Sequence, residues 1–174
     1  MFEKGEELAA AAVAAASGEA GSAPTLPANL RNGAMVTAAY FALYYIFIIW
    51  QIVTKKRLHR MYKAQDKKFD RYATRDKKML GWDRTVANML EQMGPFVGLF
   101  WTNILLCPYG GLPLVYITGA GWQYVLLRAL YPVLWFNGGG GPEGSSPGIM
   151  RSTLPMYTIV IGLLANAIFV ISTV

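Results

Sequence analysis

Four long apolar stretches alternate with polar connections along the chain. The first, AMVTAAYFALYYIFIIWQIV (34–53), carries no charge over twenty residues. At 1.5 Å rise per residue that is about what ~30 Å of hydrocarbon requires of a helix. The second stretch contains Asn88 and Glu91, the third contains Arg128, and the fourth, STLPMYTIVIGLLANAIFVISTV (152–174), is again free of charge. None shows the strict apolar–polar alternation of a membrane barrel strand. The pattern predicts an all-α integral membrane protein, a four-transmembrane-helix bundle with spans at about 34–54, 85–107, 112–136 and 152–174. Four crossings place both chain ends on one side, where CPYGG (107–111) makes the short turn. The connection over 54–84 and the glycine-rich NGGGGPEGSSPG (137–148) share the other side. Residues 1–33 form an Ala/Gly-rich N-terminal extension ahead of the membrane domain, 34–174. Its LAAAAVAAA has strong helix propensity but too little apolar bulk for an anchor. The acidic start (Glu3, Glu6, Glu7) fits neither a secretory signal nor a basic mitochondrial presequence.

Composition sharpens this picture. Hydrophobic residues make up 54% of the chain and charged residues only 15%, against about a quarter charged in a soluble domain. The net charge of +6 could suggest nucleic acid, but its placement argues otherwise. Twelve of the 16 Lys and Arg residues lie between Lys55 and Arg84, offset there by four aspartates. The basicity belongs to one connection, which the positive-inside tendency places on the cytosolic side or its equivalent. The expected partner is therefore a lipid bilayer and not nucleic acid, in the endoplasmic reticulum or another organelle membrane, mitochondria included. Cys107 is the only cysteine, so neither an intrachain disulfide nor a cysteine-built metal site is expected.

The candidate chemistry lies in the charges inside the apolar stretches, where ionisable residues are costly and face a bundle interior, a partner or a watery cavity. Arg84, Asn88 and Glu91 stand at i, i+4 and i+7, within about 60° of one another on one helix face. Tyr124, Arg128, Tyr131 and Trp135 repeat that spacing in the third stretch. Both stripes open toward the membrane face that also receives KKRLHR (55–60) and Arg151. Each residue alone has a plain structural use: a solvated loop end, an interhelical amide bond, a register-fixing ion pair or an interfacial aromatic. Together they assemble cations, acceptors and aromatic walls at one depth, which suits a small zwitterion bearing several carboxylates. His59 reads as a solvated side chain. Ser145 and Ser146 have no base in view, and GGGG (138–141) follows no strand, so a phosphate cradle has no context.

R-x-x-x-N-x-x-E at Arg84, Asn88 and Glu91, ahead of Pro95 and Phe96, resembles the MAPEG family. These are membrane-associated proteins in eicosanoid and glutathione metabolism, microsomal glutathione transferases among them. The basic run closing the first span, R-x-x-Y-x-x-x-aromatic at Arg128, Tyr131 and Trp135, and Arg151 ahead of LPMY agree in order. The likeness covers roughly residues 35–174. It implies a homotrimer with sites between neighbouring subunits near the cytosolic face, and glutathione as co-substrate with no metal. It further implies that Lys56, Arg84, Asn88, Glu91, Arg128, Tyr131 and Arg151 bind glutathione and that Arg57 activates its thiol. A nearby cation lowers a thiol's pKa and raises the thiolate fraction. Where leukotriene-type members carry tyrosines, this chain has Gln92 and Trp135, here assigned to the pocket wall. The implied activity is glutathione transfer or peroxidase chemistry on lipophilic electrophiles or lipid hydroperoxides. The alternative is a non-catalytic subunit of a larger membrane complex that keeps the scaffold, to which the acidic extension and the long basic connection would belong.

Overall fold

The computed structural model describes residues 26–70, 72, 76–138 and 147–173. Residues 1–25 of the extension and 139–146 of the glycine-rich connection lie outside the described residues. The rest form four helices: α1 (Ala28–Ala64), α2 (Lys77–Leu106), α3 (Leu114–Asn137) and α4 (Pro147–Thr173). A 3-10 turn, Cys107–Tyr109, follows α2 directly.

Helix covers much of what reads as the basic connection. After the apolar run α1 continues through KKRLHRMYKA to Ala64, because Lys, Arg, Leu, Met and Ala are all strong helix formers. α2 starts eight residues ahead of its expected span, where Asp76 caps it. The Asp76 carboxylate accepts the backbone N–H of Lys78 (2.8 Å) and of Met79 (3.3 Å), a bonding pattern that stabilises a helix start by about 1 kcal/mol. α4 likewise begins early, at Pro147, a residue suited to a first helical turn.

α2 and α3 form the centre of the bundle, each packed against the other three elements, while α1 and α4 take opposite flanks. The flanks are the apolar helices. α1 and α4 are long and apolar enough to cross a membrane, and only 17% and 28% of their apolar windows are buried within the chain. By the same measure α2 and α3 fall short of the four spans expected, because they carry Asn88, Glu91, Gln92, Asn103 and Arg128. The helices that face outward are thus the greasy ones, and polar residues concentrate on the central pair.

Aromatic packing sets the central spacing. Phe96 of α2 stacks on Tyr124 of α3 with ring centres 3.8 Å apart, and Tyr40 of α1 leans over Phe96 at 5.3 Å. The Tyr40 hydroxyl donates to the Met89 carbonyl at 2.8 Å, satisfying a buried phenol. Gly81 brings the start of α2 against the end of α3. A Cβ there would meet the Phe136 ring at 2.6 Å and Trp135 Nε1 at 2.7 Å.

At the turn end the polar groups are tied together. Asn103 Nδ2 donates to the carbonyls of Leu99 (2.7 Å) and Leu163 (2.9 Å). Asn166 Nδ2 donates to Asn103 Oδ1 (2.6 Å), and Asn166 Oδ1 accepts the Leu112 backbone N–H (3.0 Å). Gly111 takes φ 83° beside this cluster, where a Cβ would strike Val170 at 2.5 Å. Two asparagines thus hold α2, α4 and the start of α3 in register.

Candidate functional site

The two polar stripes meet across the α2–α3 seam. Asn88 Nδ2 donates to the Tyr131 hydroxyl at 2.8 Å. Arg84 and Glu91 stand four residues before and three after Asn88, on the same face of α2. Tyr131 is buried, Asn88 half-buried, and Arg84 and Glu91 are exposed. The hydroxyl therefore sits at the inner end of a polar track that opens outward along α2.

Arg128 is only 4% exposed. Its guanidinium does not pair with Glu91. Instead Nη2 and Nε donate to the Tyr124 hydroxyl at 2.9 and 3.3 Å, with Cζ 5.3 Å from the Tyr124 ring centre. Among the described residues a phenol and a ring face leave the cation without a counter-anion, so it keeps its attraction for an incoming carboxylate or thiolate.

Arg128, Asn88 and Gln92 line a notch closed on the α4 side by Thr153, Met156 and Tyr157. Gln92 Nε2 reaches the Tyr157 hydroxyl at a long 3.4 Å, and the buried Thr153 Oγ1 has no hydrogen-bond partner. The notch offers about 10 Å³, near the room one water needs. A tripeptide cannot lie inside it and would have to lie across its mouth.

The remaining expected residues go elsewhere. Trp135, 2% exposed, fills the α2–α3 seam against Gly81 and not the notch wall, and its Nε1 is buried without a partner. Arg151 is exposed and stands roughly 160° round α4 from Thr153 at ~100° per residue, so it points away from this notch. Lys56 and Arg57 are neighbours in sequence but line separate grooves, Lys56 beside His59 and Phe69, Arg57 beside Trp82 and Phe136. One chain therefore gathers Asn88, Gln92, Arg128 and Tyr131 at the seam, with Arg84 and Glu91 on the same face of α2, and leaves Lys56, Arg57 and Arg151 on other faces.

Two features escape a reading of the charged residues alone. Thr153, Met156 and Tyr157 stand at i, i+3 and i+4, a helical stripe that marks the inner face of α4. Pro95, Pro132 and Pro155 lie inside α2, α3 and α4, each four residues after a charged residue: Glu91, Arg128 and Arg151. Proline has no N–H, so each helix loses its bond to the carbonyl four residues back. The carbonyls of these three charged residues are thereby left without their helical donor, a coincidence legible in the spacing. The neighbouring Asp83, by contrast, is engaged. It pairs with Lys55 Nζ at 2.8 Å and accepts Gln51 Nε2 at 2.7 Å, tying α1 to α2.

Among the described residues no group of three His, Cys, Asp or Glu side chains is placed to hold a metal ion. No curated protein and no solved structure matches the chain. Among family models, that of the MAPEG family matches residues 34–165, from the second turn of α1 through most of α4, and so spans the whole site. The chain belongs to the membrane-bound MAPEG family.

Proposed function

We propose that the protein is a membrane-bound glutathione transferase or peroxidase acting on lipophilic electrophiles or lipid hydroperoxides, each chain crossing the membrane four times within a homotrimer. The observation that carries this reading is the Asn88–Tyr131 hydrogen bond at 2.8 Å, which joins the two polar stripes beside a buried Arg128 that has no acidic partner among the described residues. Family membership points to glutathione as the ligand, and the donor set fits it. Arg84 and Arg151 offer cations for its two carboxylates, Glu91 offers a counter-charge for its ammonium, and Asn88 and Tyr131 offer polar contacts for its peptide groups.

A notch the size of one water supports a site completed by a second subunit. Lys56, Arg57 and Arg151, which face away from their own notch, would then serve a neighbour's. Arg57 holds the thiol as thiolate once its proton leaves to water. In transfer, the thiolate sulfur supplies the pair for a new bond to the electrophilic carbon as that carbon's bond to its leaving group breaks, and the leaving group departs with the bonding pair. In peroxidase chemistry, the sulfur attacks the O–O bond and the departing oxygen takes a proton to leave as alcohol. A second glutathione then converts the sulfenic acid to disulfide and water. The basic end faces the cytosol of an organelle membrane.

Glutathione titrated into detergent-solubilised protein should raise its unfolding temperature, since a ligand that binds only the folded state stabilises it by mass action. Arg84→Ala should weaken that binding about tenfold or more, as expected for a lost charge-assisted contact, and leave the unliganded unfolding temperature unchanged. No thermal shift at millimolar glutathione would end the proposal.

The largely unburied apolar windows of α1 and α4 favour a second reading, a non-catalytic subunit lodged in a larger membrane complex. Purification as a homotrimer free of other chains would count against it.

A further inference from the structure

A second concavity lies between the cytosolic end of α1, the first turns of α2 and the end of α3. It is a groove of about 590 Å³, within the usual range for a small-molecule site. Trp50, Val53, Thr54, Arg57, Leu58 and Met61 line its α1 side at i, i+3, i+4, i+7, i+8 and i+11, one continuous helix face. Trp50 stacks nearly parallel on Trp82, with centres 6.1 Å apart at 11°, and Trp82 packs on Phe136 at 5.7 Å. The result is an aromatic wall, with Trp50 and Val53 more than 45% exposed. Arg57, Lys77 and Lys78 are exposed at the groove's rim. The acid that lines it, Asp76, spends its carboxylate on the Lys78 and Met79 amides.

Charge and depth together define the occupant. The apolar run of α1 ends at Val53, so with α1 across the bilayer the wall stands at the hydrocarbon edge. Arg57 lies one turn farther out, at headgroup level, and aromatic residues favour this boundary. We propose that this groove binds an anionic phospholipid of the bilayer, its phosphate held by Lys77 and Lys78 and an acyl chain laid along Trp50, Trp82 and Phe136. Free phosphate would satisfy the rim but leave the wall bare. A zwitterionic lipid would bring its own cation against three others. Lys77, Lys78, Trp50 and Trp82 stand outside the residues assigned to glutathione, so the site is separable from the catalytic reading.

The test places the full chain in nanodiscs containing a minor fraction of phospholipid with brominated chains, which quench nearby tryptophan fluorescence. Brominated phosphatidylglycerol should quench more than brominated phosphatidylcholine at equal fraction. Trp50→Phe with Trp82→Phe should abolish that excess while keeping an aromatic wall. Lys77→Gln and Lys78→Gln should each cut the preference for the anionic lipid by up to about fivefold. Inorganic phosphate at constant ionic strength should displace nothing. Equal quenching by the two lipids, an excess that survives the tryptophan pair, a preference that survives both lysine changes, or displacement by phosphate would each overturn the proposal.

Discussion

The two ends of the bundle handle polar groups in opposite ways. At the turn end, Asn103 and Asn166 bond to each other and to the backbone groups around them. At the basic end, Arg128 has a phenol and no anion, Arg84 and Glu91 stand unpaired among the described residues, and Thr153 Oγ1 and Trp135 Nε1 are buried without partners. An apolar surround makes an unsatisfied polar group expensive. A bundle built only to hold together would close both ends alike. The difference marks the turn end as a clasp and leaves the basic end open.

Asn103→Leu attacks the clasp and should have the largest effect on stability. It removes two donated bonds and one accepted bond. At ~0.6 kcal/mol per interhelical bond in a membrane, plus an orphaned Asn166 amide, the loss is about 2 kcal/mol. Thermal unfolding in detergent reads this directly, and glutathione affinity of the protein that remains folded should not change. A variant as stable as the wild type would remove the basis for calling that end a clasp.

Tyr131→Phe attacks the basic end. Losing one hydroxyl should cost about 1 kcal/mol, because Asn88 keeps an amide without its acceptor. The same change should weaken glutathione binding, so stability and affinity fall together here, where Asn103→Leu moves stability alone. Thr153→Val is the mildest change. It swaps an unpartnered hydroxyl for a methyl of like shape, and stability should stay within ~0.5 kcal/mol of wild type or rise. A clear loss of stability would show that the hydroxyl has a partner, such as a water in the notch.

Much of this contrast was legible in the chain and some was not. The four helices and their order follow from the apolar runs, and the i, i+4, i+7 spacing puts each polar stripe on one helix face; the Asn88–Tyr131 bond joins the two stripes. A basic run suggests a loop, yet KKRLHRMYKA continues α1 as helix because most of its residues are good helix formers. Lys56 and Arg57 are adjacent in sequence, yet adjacent residues on a helix point ~100° apart, so they open into different grooves. Arg151 shares the membrane face of the site, while its angle on α4 turns it away from Thr153. What spacing cannot supply is the rotation of each helix about its axis. That depends on how Phe96, Tyr124 and Tyr40 stack and on where Gly81 lets α2 and α3 close.

The Asn88–Tyr131 bond also has a meaning for biosynthesis. α1 is made first and can enter the bilayer on its own apolar run. α2 follows with Asn88 and Glu91, which an isolated helix in lipid tolerates poorly. The hydroxyl that Asn88 needs is encoded 43 residues later. At ~5–20 residues per second of translation, that is a wait of a few seconds. Through that interval the insertion machinery, and not the protein, must shelter Asn88 and Glu91.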